Sequence, residues 1–380
     1  MQKVNTLAAA LLFAIGSSLA VAPVASAVEK CPIDKRQSKA VGQGSAKKVQ
    51  KSFEAYQEGN IDEAIAVLLE ASPRDDFDKA YIARMLGNFY AEKNQMGTAI
   101  KYLKQAVDAD ILGGTDHGAT LRLYADLLIQ EKKFKESIPY YYEWMKFTCK
   151  EDAQVYRRIG IAYSELKEWD KVLGVVDKGL AISTKPDKGL YQMKLTAYFN
   201  KKDYKNAIKV LETMVPLFQQ DGRLWVQLAQ FYLMTEDYAK SLATYDLAYM
   251  NGFLETASNI TRLSQLLAQN GSPYRAAKIY EKHMKSGLIK EDEKTLAILG
   301  GFYHNAKELK EAAEYYGKAA DVNNDGKLYL KQARLLTLRE QHKAAYNACL
   351  KAAKDEKTKR TANSYLAYIK EKARIYNVAL

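Results

Sequence analysis

The sequence predicts an all-α fold, a solenoid of about nine stacked helix pairs closed by one further helix. Three observations carry that expectation. A small residue recurs at Ser52, Gly87, Ala125, Gly160, Leu195, Ala229, Ser264, Gly300 and Ala333, at spacings of 35, 38, 35, 35, 34, 35, 36 and 33, with Leu195 the bulky exception. Three places later comes a larger residue in every unit but the first, Tyr90, Tyr163, Tyr198, Tyr232 and Tyr303 among them with Ala55 the exception, and twelve places later a mostly small one such as Ala64, Ala99, Ala207, Ala312 or Ala345. No stretch alternates apolar and polar residues as a half-buried strand does, while "KKDY", "TEDY" and "KPDKG" punctuate the helical segments as turns. A period of this length is a helix–turn–helix unit that buries its apolar face against its neighbours.

Gly87, inside "AYIARMLGNFYAEK", explains the small positions. Glycine in a helix costs about 1 kcal/mol relative to alanine, and close approach of a second helix is what a residue without a side chain permits.

Residues 1–27 read as a cleaved signal peptide: Lys3, an apolar stretch from Leu7 to Ala22, then Ala25-Ser26-Ala27 as the cleavage signal. A retained membrane anchor is the competing reading, although the apolar stretch is short for a span. Cys31 follows Lys30 rather than a small residue, unlike a lipid-attachment cysteine. Residues 28–44, "VEKCPIDKRQSKAVGQG", form a polar leader expected to be extended. The repeat array runs from 45 to 358. Residues 359–380 supply an amphipathic capping helix, which arrays need because a last repeat otherwise exposes its stacking face. Within the array, Ser272-Pro273 reads as an N-cap and first-turn proline, Pro139 falls early in its helix and Pro216 late.

The repeats resemble the tetratricopeptide repeat (TPR). The sixth unit supplies Trp225, Leu228, Ala229, Tyr232, Ser241, Tyr245 and Ala248, and the eighth Leu299, Gly300, Tyr303, Ala312, Tyr316 and Ala319. The resemblance covers about residues 45 to 355 and implies antiparallel helix pairs stacked into a right-handed superhelical solenoid.

The formal net charge of +12 becomes +11 once Lys3 is removed with the signal peptide. A basic chain with 27 tyrosines raises nucleic-acid binding, but export removes that partner and the tyrosines fall largely at repeat positions. Solvated lysines and attraction to acidic envelope partners are the two remaining readings of the charge. His117, His283, His304 and His342 lie in different units without a second ligand at metal-binding spacing. Neither a phosphate loop nor a nucleophile elbow is present. "DVNNDG" offers Asp321, Asn323, Asp325 and Gly326 in the order of a calcium loop, but its twelfth place is Gln332, so a turn is the expected role. No catalysis, cofactor, metal or small-molecule substrate is expected.

The candidate functional surface is the groove lined by the first helix of each unit. Its places read Arg84 and Asn88, Arg122 and Asp126, Arg157 and Ile161, Gln192 and Thr196, Val226 and Gln230. Three consecutive arginines predict an electropositive end able to grip carboxylates. With Gln154 and Arg158, the set is similar to the carboxylate clamp of chaperone-cofactor repeat domains. Arg84, Asn88 and Arg158 match that scheme, Gln154 replaces a basic residue, and Leu123 stands where an asparagine is expected. The opposing reading is that Asp126 and nearby glutamates already neutralise the arginines.

Cys349 occupies a buried second-helix place, leaving Cys31 and Cys149 to pair as a disulfide in an oxidising compartment. Intermolecular bonding or free thiols is the alternative. "CPIDKRQSKAVGQG" and "DFDKAYIARMLGNFYAEK" also resemble periplasmic TPR proteins that accompany TonB–ExbB–ExbD systems. That resemblance implies a periplasmic scaffold assisting TonB-dependent transport through TonB, ExbB, ExbD or the receptors. An adaptor in outer-membrane assembly or peptidoglycan synthesis is the other reading.

Overall fold

A computed structural model describes residues 31–380, so the expected signal peptide and residues 28–30 lie outside it. The described residues are helical, without a strand, and none of their helices is long and apolar enough to cross a membrane. They divide at Lys150 into two compact units, where the sequence reading treated 45–358 as one array. Within the first unit the leader is tied to the end of α7, its last helix, by the Cys31–Cys149 bond.

This unit holds α1 (Pro32–Lys35), α2 (Gln43–Gln57), α3 (Ile61–Leu69), α4 (Asp76–Glu92), α5 (Met96–Ala109), α6 (Gly114–Gln130) and α7 (Phe134–Thr148). After α1 they pair as α2/α3, α4/α5 and α6/α7. The second unit holds α8 (Ala153–Glu165), α9 (Trp169–Ile182), α10 (Lys188–Asn200), α11 (Tyr204–Leu217), α12 (Gly222–Met234), α13 (Tyr238–Met250) and α14 (Ala257–Gln269). It continues with α15 (Pro273–Lys285), α16 (Glu293–Asn305), α17 (Leu309–Asn323), α18 (Gly326–Leu338), α19 (His342–Ala352) and α20 (Lys359–Ile375). Six pairs there are followed by α20, which packs on α19.

The small residues sit where two helices of a pair touch. A Cβ added to Gly87 would stand 2.5 Å from Leu103 Cγ and 3.2 Å from Leu103 N. Ser52 Oγ donates to Ala64 O, and Ser241 Oγ to Ala229 O, each at 2.8 Å. Leu195 is buried like the small residues, in a cluster with Ala207 and Leu211.

One turn geometry recurs in all nine pairs, and it was not read from the sequence. The carbonyl of the residue three places after each small position accepts an N–H five residues on, from Asn60 to Ala55 in the first pair through Gln341 to Leu336 in the last. The residue just before that donor is left-handed: Gly59 and Gly271, but also Asn94, Lys132, Lys167, Lys202, Glu236, Lys307 and Glu340, with φ between 57° and 66° in those seven. This is a Schellman-type helix end. Seven of the nine units hold it without glycine, so the sequence signal was the polar turn rather than the residue that normally marks it.

Carboxylates in the turns cap several helices. Asp75 accepts from the N–H groups of Phe77 and Asp78 at the start of α4. In the calcium-like segment, Asp325 accepts from Lys327 and Leu328 N–H, while Asp321 takes the Tyr329 hydroxyl and the Lys351 ammonium. Ser272, by contrast, makes no side-chain cap; Pro273 alone opens α15.

The leader is not wholly extended: it makes one helical turn, α1, and α2 already begins at Gln43. It runs as a strap along the edge of the first unit where second helices end and first helices begin. Cys31 is joined to Cys149, with Cα atoms 5.8 Å apart across a sequence separation of 118, within the reach of a disulfide. Gly114 N–H donates to Arg36 O at 3.1 Å, and Gly42 N–H to Asp78 Oδ1 at 2.9 Å. A Cβ on Gly114 would lie 2.0 Å from the Ile33 carbonyl oxygen, so glycine is what lets the strap pass. Arg36 pairs with Asp110 at 2.7 Å and lies 5.0 Å over the Phe147 ring.

Beneath the strap His117 is 1 % exposed, with Nε2 3.1 Å from Asp110 Oδ1 and its ring edge-on to Phe147. Burial pushes its pKa below the ordinary histidine value, Asp110 opposing that effect and Arg36 adding to it. The folded state therefore binds this proton less readily than the unfolded chain. Stability is full above the unfolded value, about 6.5, and falls as the pH drops below it towards the depressed folded value. Denaturant titrations of the wild type and His117→Gln should show that acid loss only in the wild type.

Candidate protein-binding surfaces

Repeat packing places the predicted arginines on first helices, but in the first unit it also supplies their counter-charges. Arg84, on α4, pairs with Asp116 of α6 at 2.8 Å and lies 5.8 Å from the Tyr81 ring centroid. Asn88 is half-buried one turn further along α4. Arg122 lies 5.0 Å over the Trp144 ring, with Nε 3.5 Å from Asp126 Oδ2 one turn on. Asp126 also accepts the Tyr141 hydroxyl. The electropositive end expected at Arg84 and Arg122 is thus a pair of neutralised contacts. Asp126 was read as one of the neutralising acids, but Asp116 and Trp144 were missed, because nothing in one helix marks which side chain of the next will reach it.

In the second unit Arg157 and Arg158 are both exposed on α8. The Arg157 guanidinium lies over Gly189: a Cβ there would be 2.9 Å from Arg157 Cζ. Arg157 makes no ion pair with another described residue. It lines a cleft of about 540 Å³ with Gln154, Ser183, Thr184, Lys185 and Lys188.

A second kind of cleft follows along the first helices of the same unit. Gln192, Thr196 and Phe199 of α10 face Gln227, Gln230 and Met234 of α12 around about 340 Å³. Val226, Gln227 and Gln230 then share an adjoining cleft with Phe253, Thr256 and Asn259. Phe199 is 46 % and Met234 50 % exposed, so both leave apolar surface at the rim of this cleft. Gln192, Thr196, Val226 and Gln230 were legible from the repeat register. Phe199 and Met234 stand one turn further and were not singled out, although both are large apolar residues near a helix end.

These surfaces can do two things chemically. The glutamine-rich cleft offers amides that donate to and accept from a peptide main chain, beside apolar rims that hold side chains. The Arg157 cleft offers cations to carboxylates.

Comparison with known families matches residues 38–158 to the SusR N-terminal TPR domain and residues 189–215 to the tetratricopeptide repeat. No curated protein matches the chain. Among solved structures, a tetratricopeptide repeat protein from Parabacteroides merdae is 14% identical, covering 78% of this chain and 100% of its own, with a TM-score of 0.40. MamA from Desulfovibrio magneticus RS-1 is 18% identical, covering 48% of this chain and 99% of its own, with a TM-score of 0.39. YrrB, described as a TPR protein with an unusual peptide-binding site, is 18% identical, covering 53% of this chain and 97% of its own, with a TM-score of 0.38. At that level of similarity they establish neither a shared ligand nor a shared partner. The family matches support one family, the tetratricopeptide-repeat proteins, and over residues 38–158 and 189–215 the chain carries its repeats.

Proposed function

We propose that this chain is a non-catalytic protein-interaction scaffold of the bacterial periplasm that assists a TonB-dependent outer-membrane transport system. The observation that carries the binding role is the uncharged cleft between α10 and α12, where Gln192, Thr196, Gln227 and Gln230 meet the exposed Phe199 and Met234. Amide and apolar groups on stacked first helices suit a polypeptide segment, and repeat families generally use such surfaces to hold protein partners. A disulfide between Cys31 and Cys149 is the chemistry of an oxidising compartment and supports export. The TonB link rests on the resemblance of the mature chain, residues 31–44 and 76–93 included, to periplasmic repeat proteins that accompany TonB, ExbB and ExbD. Of the set Arg84, Asn88, Arg122, Arg157 and Arg158, the two on α8 are the candidates for contact with an acidic part of that partner, Arg157 foremost because the described residues leave its charge unpaired, whereas Arg84 and Arg122 are already held by Asp116 and Asp126.

A photo-crosslinking residue at Gln230, followed by mass spectrometry of the trapped partner from intact cells, tests the reading. Recovery of TonB, ExbB, ExbD or their receptors is the expected result. Recovery of outer-membrane assembly or peptidoglycan-synthesis proteins instead would move the scaffold to that role. Phe199→Ala with Met234→Ala should cut the crosslink yield at least severalfold; an unchanged yield would remove this cleft as the binding surface.

A further inference from the structure

The strap shows what this fold's turn edge can bind. In the first unit the strap, extended apart from the one helical turn α1, lies where second helices end and first helices begin, and the edge recognises it by charge and by main-chain contact. The strap segment Cys31–Gly42 is basic, with Lys35, Arg36 and Lys39 against Asp34, and the edge meets it with carboxylates: Asp110 on Arg36, Asp78 on the Gly42 N–H. In the second unit the corresponding turns, between α9 and α10 and between α11 and α12, are open. Two adjoining clefts lie there, of about 540 and 520 Å³, and Lys188 lines both.

The charge on this second edge is inverted. The first cleft has Arg157, Lys185 and Lys188 against the single carboxylate of Asp187, which caps α10 through the Leu190 N–H. The second has Lys188 and Arg223 around Asp221, which pairs with both. Arg157 and Lys185 are therefore the cations left unmatched, both exposed and both in the larger cleft. A basic strap from a second copy of this chain would be repelled there.

We infer that the turn edge formed by residues 182–189 and 217–223 binds an extended acidic segment of a partner protein, in the manner in which the first unit's edge holds its own basic strap. The inference rests on the Arg157 contact of the reading above and deepens it, on a surface separate from the glutamine-lined cleft, so that failure here leaves the Gln230 crosslink test of that cleft standing. Guanidinium and ammonium groups bind carboxylates through charge-assisted hydrogen bonds, and at exposed positions such as these salt screens that attraction over about 10 Å at 0.1 M.

The test uses the full exported chain and a fluorescent peptide alternating Glu and Gly, with a Gln-for-Glu counterpart, read by anisotropy at low and moderate salt. The Glu peptide should bind and weaken with salt, and the Gln peptide should not bind. Arg157→Glu with Lys185→Glu should weaken binding by about tenfold or more, about 1.4 kcal/mol or greater, with unchanged helicity by circular dichroism. Phe199→Ala with Met234→Ala should leave it intact. No binding of the Glu peptide, equal binding of the Gln peptide, or full affinity in the charge-reversed variant would each overturn the inference. Loss confined to the Phe199/Met234 variant would do so as well, by placing the acidic segment in the other cleft.

Discussion

Removing the Cys31–Cys149 bond should lower the stability of the first unit by about 4–5 kcal/mol, the value the chain-entropy model assigns to a closed loop of more than a hundred residues. The bond ties the strap to the end of α7 across a sequence separation of 118, so the unfolded chain loses a large part of its freedom when it is present. The folded contacts of the strap, among them Arg36 on Asp110 and over Phe147, Gly114 N–H on Arg36 O and Gly42 N–H on Asp78, do not involve either sulfur. Most of the expected effect is therefore on the unfolded state. Chemical denaturation of Cys31→Ser with Cys149→Ser against the wild type measures it, and a change below about 1 kcal/mol would mean that the strap closes no such loop.

Thiol counting gives an independent check. Cys349 is wholly buried, its Sγ donates to Ala362 O at 3.3 Å, and burial pushes its pKa up to about 11. A thiol reagent should find none in the native protein and one per chain after unfolding without reductant. Three thiols on unfolding would deny the bond.

Gly87→Leu should destabilise the first unit by at least the 1–3 kcal/mol typical of overpacking. The new Cβ would stand 2.5 Å from Leu103 Cγ and 3.2 Å from Leu103 N. A side chain can swing away, but the backbone nitrogen belongs to α5 and moves only if the two helices separate. Gly97→Leu is the matched control in the same helix pair, because a Cβ at Gly97 meets nothing within 4 Å. There the higher helix propensity of leucine should leave stability unchanged or raise it by up to about 1 kcal/mol. Thermal unfolding followed by circular dichroism separates the two. Gly160 is less demanding than its repeat position suggests, since its nearest neighbour is the flexible Met193 methyl at 2.7 Å and the two valines behind stand 3.6 Å away.

What the sequence by itself determined is the repeat and its register. Small residues such as Gly87 and Ala229 recur because each pair needs close helix approach at one level, and that need is local enough to leave a period in the chain. The same locality made the turn role of the Asp325 segment and the burial of Cys349 readable. The tertiary structure alone decided which charges remain available. Arg84, Arg122 and Arg157 hold equivalent places in consecutive repeats, yet Asp116 of the following first helix takes Arg84, and Trp144 of the paired helix covers Arg122, while Arg157 opens onto Lys185 and Lys188. Register fixes where a side chain starts. Which neighbour its end meets depends on residues outside the repeating positions, brought near only when the helices stack, and such partners leave no period in the sequence. The path of the strap was hidden for the same reason: Gly114 and Asp110 became its seat through α5 and α6 meeting at one turn, a juxtaposition that no spacing encodes.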